Sequence, residues 1–174
     1  MARSKSDIAN SAIRIFLQEV GKFYDTERKL EPFGPKKAQK EELLEYFGYE
    51  CCFCGVPIDS KSLSQDHLIP MNKEHLGLHA WGNVVPCCYP CNNEKNKKSW
   101  RIFLESKCSG DELELRANLI ESFVADKEYD PNLNLHKYAG TLYQDVGEVA
   151  MTLIGLRLEQ AKTAIHSIQE RKKS

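Results

Sequence analysis

The sequence has no apolar run long enough to cross a bilayer, and its opening residues, Met1-Ala2-Arg3-Ser4-Lys5, lack the apolar core of a secretory signal. It also has no excess of either charge, with a formal net charge of −1. No global basic field therefore announces a nucleic-acid binder, and any such site must rest on local charge. Internal repeats and low-complexity segments are absent. So is a scattered cysteine framework: of seven cysteines, six stand in two tight groups, which is metal spacing rather than disulfide spacing. A reducing, cytoplasmic setting is expected. At 174 residues the chain suffices for one domain, or for a small domain with helical additions.

What is there is a bracket of cysteines around a histidine. Cys51 and Cys54 form one Cys-x-x-Cys turn, and Cys88 and Cys91 form another. Each such turn places two thiolates on one ion, and two turns complete a tetrahedral zinc site. Cys52 and Cys87 compete for the same roles. However, Cys52-x-Cys54 is too tight for a knuckle, and Cys87 stands one residue too far from Cys91. Both read better as small buried core residues, and Cys108 as a packing residue. Four protein ligands leave no open position, so this zinc is structural and supplies folding free energy to a region with little apolar core.

The regions flanking the bracket read as helical. Ser6 or Asp7 can cap a first helix with Ile8, Ala12, Ile15, Phe16 and Val20 on its apolar face, ending near Gly21. A connector, Leu30 to Pro35, precedes a second helix from about Lys36 to Phe47. In the middle, Ser64 to Met71 and Asn83 to Cys87 read as short strands separated by a loop. Pro90 then suits the first turn of a helix running to about Phe103. Residues 111–125 form a further helix through Leu113, Leu115, Leu119, Ile120 and Phe123. A long helix from about Ala139 to Arg171 carries an apolar seam, Leu142, Val146, Val149, Leu153, Leu156, Ala161, Ile165 and Ile168. That seam is expected to pack within the chain, with a homodimer through it as the alternative. The expected class is α+β and mostly helical. An N-terminal helical arm (1–48) and a C-terminal helical region (105–174) flank a small zinc-stabilised core (49–104).

Within the bracket, Asp66 and His67 lie on one strand, Asn83 begins the next, and Asn92 lies in the first turn of the following helix. Phosphodiester hydrolysis needs a base for the attacking water and a divalent cation for the developing charge. A neutral histidine supplies the base. Asp66 and Asn92 offer hard oxygen donors that suit Mg²⁺ or Mn²⁺. Asn83 can hold the loop and the imidazole through its amide. Lys95, Lys97, Lys98 and Arg101 form a basic run that can track phosphates. Lys36, Lys37, Lys40 and the Arg171-Lys172-Lys173 tail are weaker candidates. His75 and His79, in the loop near Trp81, read as solvated loop residues, with a place flanking the active site as the alternative.

Cys51-x-x-Cys54-Gly55, Asp66-His67-x-x-Pro70, Asn83 and Cys88-x-x-Cys91-Asn92-x-x-Lys95 together closely resemble the HNH endonuclease family, whose fold is the ββα-metal motif. The resemblance spans roughly Glu50 to Lys98. It implies His67 as general base, Asn83 as the residue orienting the active loop, and Asp66 with Asn92 as holders of one catalytic Mg²⁺ or Mn²⁺. An asparagine at position 92 makes this an H-N-N variant, with the four cysteines as its zinc clip. The implied substrate is DNA, double-stranded by the same resemblance, and a restriction or phage-defence nuclease fits a chain of this size. An effector directed by a partner and a mobile-element nuclease fit as well. The rivals are a non-catalytic zinc module that binds nucleic acid or protein, and a helical interaction protein working through the C-terminal seam.

Overall fold

The computed structural model describes residues 4–34 and 36–171. Helix α1 (Lys5–Glu27) is started by a capping box in which Ser4 and Asp7 exchange side-chain and backbone hydrogen bonds. Its buried line is Ala9, Ile13, Leu17, Gly21 and Asp25, one position round from the predicted face. Ile15 is exposed as a result. The predicted stop at Gly21 is also corrected, because this glycine lies inside the helix. A Cβ there would fall on the backbone carbonyl of His79, so glycine serves close approach rather than termination.

After α2 (Lys37–Tyr46) the chain enters a two-stranded antiparallel sheet, β1 (Ser64–His67) and β2 (Val84–Cys87), with Asp66 opposite Val85 and His67 opposite Val84. Both strands are shorter than the sequence predicts. The Ile69–Met71 stretch leaves the ladder, and Asn83 turns its side chain to the work of a loop clamp described below. Helix α3 (Tyr89–Lys95) carries Pro90 in its first turn, as expected. It does not run on to Phe103. Asn96 adopts a positive φ of 47° and breaks it, and α4 (Trp100–Glu105) restarts beyond Ser99.

α5 (Gly110–Asp126) and α6 (His136–Arg171) complete the chain. α5 buries Ala117, Ile120 and Phe123 against the metal region, whereas Leu115 faces out. The central core gathers Phe33, Leu43, Phe47, Phe53, Val84, Val85, Phe103, Ile120 and Phe123 around the two strands. Edge-to-face ring pairs such as Phe53–Phe103 (centroids 5.1 Å apart) fill it. A second cluster joins Ile13 and Leu17 of α1, Leu76, Leu78 and Ala80 of the inter-strand loop, and Ala139 of α6. The first part of the C-terminal seam thus packs on α1, with Leu142 and Tyr143 at its margin. Farther along, Val149, Leu153, Leu156 and Ile165 are exposed. Ile168 and the Lys172-Lys173 tail lie outside the residues whose side chains are described. Among the described residues, no helix is long and apolar enough to cross a membrane.

Candidate active site and metal centre

The zinc bracket is built by three local devices. Gly55 takes a positive φ of 72°, which lets its N–H return to the Cys51 carbonyl at 2.9 Å and closes the first knuckle. A Cβ at Gly55 would also collide with the Arg116 guanidinium from α5, which donates to the Cys51 carbonyl at 3.2 Å. Cys88 caps α3 and Cys91 lies one turn in, so the second pair shares one end of that helix. The four Sγ atoms of Cys51, Cys54, Cys88 and Cys91 all lie within 4.8 Å of one another. The Cys54–Cys88 separation is 3.7 Å, close to the edge of a tetrahedron with Zn–S bonds of about 2.3 Å. This donor set fits a structural zinc ion. Cys52 and Cys87 are buried outside the set, and burial pushes both thiols well up from their ordinary range.

On the other side of the ββα unit lies a cleft of about 520 Å³, lined by Asp66, His67, Asn92 and Asn96 of this unit and by Arg14 of α1. Asn83 does not line it. Its side chain is wholly buried and clamps the loop between the strands: Oδ1 accepts from the Ile69 N–H (2.8 Å), and Nδ2 donates to the Leu78 carbonyl (2.7 Å) and the Ile69 carbonyl (3.1 Å). Gly77 is required in the same clamp, because a Cβ would overlap the Ile69 carbonyl. Asn92 donates to Ser64 Oγ at 2.6 Å, a bond that fixes its amide and leaves the amide oxygen as its unengaged donor atom among the described residues.

His67 is half-buried at the end of β1. Burial, reinforced by neighbouring His79, Lys95 and Arg14, pushes its pKa down to about 3, so the ring is neutral across the physiological range. Its Nε2 lies 3.0 Å from Nδ1 of His79. His79 is therefore no solvated loop residue, which corrects the sequence reading; His75, bonded to Asn72, is the exposed one of the two.

A second correction concerns Lys95. Assigned to phosphate contact, it is fully buried instead. Its Nζ lies 2.8 Å from Asp66 Oδ2 and donates to the His67 carbonyl at 2.7 Å. Asp66 Oδ2 gains the charge contact without a well-aligned hydrogen bond. Burial raises the Asp66 pKa, and the Lys95 charge opposes that rise. Of the other cations in the run, Lys97 borders the cleft and is exposed, 3.4 Å from Glu74. Lys98 is exposed, and Arg101 is paired to Glu121. Arg14 was missed because an exposed arginine on a distant helix carries no local signal; only the docking of α1 brings it to the cleft.

Two antiparallel strands and a helix, pinned by a four-cysteine site and presenting a neutral histidine beside a carboxylate, define the ββα-metal class. Residues 51–106, about a third of the chain, match the family model described as HNH endonuclease. This segment is similar to that family, and the clustered Cys51, Cys54, Cys88 and Cys91 are consistent with a variant carrying two cysteine knuckles. No curated protein matches the chain.

Proposed function

We propose that the protein is a metal-dependent endonuclease that hydrolyses phosphodiester bonds in DNA, with a restriction or phage-defence role. One observation carries the reading: a histidine held neutral by burial shares a cleft with Asp66 and Asn92, inside a domain matched to nucleases. His67 takes the proton of the attacking water. Asn83 keeps the loop and strand ends in register, so that the base does not wander from its target. Arg14 and Lys97 offer cationic contacts to backbone phosphates at the cleft margin.

Asp66 and Asn92 fit Mg²⁺ or Mn²⁺ as hard oxygen donors on one cleft. A bound cation would supply charge stabilisation for the phosphorane-like transition state and its leaving oxygen. Lys95 already offsets much of the Asp66 charge, so these two residues alone make a weak cation site. Phosphate oxygens of the substrate would complete it, which is the usual way Mg²⁺ is held.

Incubating zinc-loaded protein with plasmid DNA in Mg²⁺ or Mn²⁺ tests the reading. Wild-type protein should cut, and His67→Ala should lose cutting by roughly two to four orders of magnitude while still binding DNA. If wild-type protein with full zinc content cuts no DNA at any Mg²⁺ or Mn²⁺ concentration, the enzyme reading is abandoned for a zinc-stabilised binding module.

A further inference from the structure

His79 lies in a segment held on three sides. Gly21 of α1 lets the helix backbone rest directly on the His79 carbonyl. The ring of Phe33 meets the imidazole edge-on, with centroids 5.2 Å apart at 72°. Next door, Asn83 holds the Leu78 carbonyl, and the buried Asp25 accepts from the Trp81 N–H at 3.2 Å. The ring therefore has little freedom, and its Nδ1 is delivered to His67 Nε2 at 3.0 Å.

Between two neutral imidazoles this contact has two forms. In one, His67 donates from Nε2–H and His79 accepts at Nδ1. Both rings then carry their proton on Nε2, the more stable tautomer of a histidine side chain. In the other, His79 donates from Nδ1–H and His67 accepts at Nε2, which forces both rings into the less stable Nδ1–H tautomer. The first form is favoured twice over, and it alone leaves His67 with a free lone pair, on Nδ1.

We propose that His79 is a positioning residue for the nuclease reaction: it accepts a hydrogen bond from His67 Nε2–H, locks that ring in the Nε2–H tautomer and leaves Nδ1 as the proton acceptor. The proposal rests on the nuclease reading for its kinetic consequence, but not for its structural one. Asparagine at position 79 places an amide oxygen near the position of Nδ1 and keeps the acceptor. Glutamine moves the oxygen one bond farther out, and phenylalanine keeps the ring volume without any acceptor.

The test is ¹⁵N NMR of the histidine rings in zinc-loaded full-length protein, with cleavage kinetics on the same samples. Wild type and His79→Asn should show His67 protonated at Nε2 and bare at Nδ1. His79→Phe and His79→Gln should show a mixture of tautomers. In cleavage, His79→Asn should stay within about threefold of wild type. His79→Phe and His79→Gln should lose kcat by roughly tenfold to a hundredfold, less than a fully misdirected tautomer costs a hydrolytic histidine, with KM unchanged. Wild-type tautomer populations in His79→Gln or His79→Phe would overturn the proposal. So would loss of the Nε2–H state in a folded His79→Asn. If the tautomers respond as expected and wild-type protein cuts nothing, the His67–His79 lock stands and the nuclease reading falls.

Discussion

Replacing Lys95 by methionine would expose how the cleft is wired. The side chain is fully buried, and its Nζ touches Asp66 Oδ2 at 2.8 Å and the His67 carbonyl at 2.7 Å. Methionine keeps the aliphatic stem and deletes the charge. What remains is a carboxylate of which only 8% is exposed, with no counter-charge, and a strand carbonyl without its donor. Deleting one partner of a buried ion pair costs about 3–5 kcal/mol, most of it the desolvation of the charge left behind. Urea unfolding of Lys95→Met at equal zinc content should therefore show a loss of about 4 kcal/mol at pH 8. The melting temperature should fall by roughly 10 °C.

The deficit should also depend on pH, and the sign follows from Asp66. Burial raises its folded pKa, and Lys95 holds that rise in check. Without Lys95 the folded pKa climbs farther above the unfolded value. A carboxyl whose folded pKa is raised stabilises the fold below its unfolded pKa and loses that contribution as pH rises through the folded pKa. The Lys95→Met deficit should thus shrink from pH 8 towards pH 5. Asp66→Asn with Lys95→Met should recover much of the loss, giving a coupling of about 2–3 kcal/mol in the double-mutant cycle. A Lys95→Met protein within about 1 kcal/mol of wild type, or strictly additive single mutants, would refute the reasoning.

Purified protein should hold about one zinc ion per chain. Cys54→Ser should lose it and unfold the middle of the chain, whereas Cys108→Ser should do neither; metal analysis with a melting profile checks both. Mild EDTA treatment should stop cleavage before it melts the protein, because thiolate zinc is coupled to folding and an oxygen-ligated cation is not. Added Mg²⁺ or Mn²⁺ should restore cutting in wild type but not in Asp66→Ala. Asn92→Ala should raise the cation concentration required, read from the cleavage rate against metal concentration.

The parts of this protein legible in its sequence are those whose geometry is local. A Cys-x-x-Cys turn fixes two sulfurs within four residues of chain, so the pairs Cys51 with Cys54 and Cys88 with Cys91 were legible without knowledge of the fold. Pro90 announced the start of α3 for the same reason. Helix interruptions were harder. Asn96 is an ordinary polar residue in sequence, and only its backbone conformation ends α3. Lys95 illustrates the opposite failure. It sits in a run of lysines that resembles a solvated phosphate-binding face, yet one turn of helix rotates it inward onto Asp66. Charge pattern alone cannot tell the inward lysine from its outward neighbours Lys97 and Lys98.

Several residues that sequence reasoning missed belong to the meeting of α1 with the inter-strand loop. Gly21 admits the His79 backbone, and Asp25 takes the Phe33 N–H (2.8 Å), the Trp81 N–H (3.2 Å) and the Arg28 guanidinium (2.5 Å) into one buried knot. Arg14, two turns earlier on the same helix, reaches the cleft itself. The segment matched to HNH endonucleases, 51–106, contains His67 and His79 but not the helix that holds the second against the first. A ββα unit with zinc can present a histidine on a strand. Holding a second ring 3.0 Å from it requires a rigid wall behind the loop, and in this protein that wall is α1. The N-terminal helix is therefore part of the site's construction, and its backbone rests on the His79 carbonyl at Gly21, a residue that reads in sequence as punctuation.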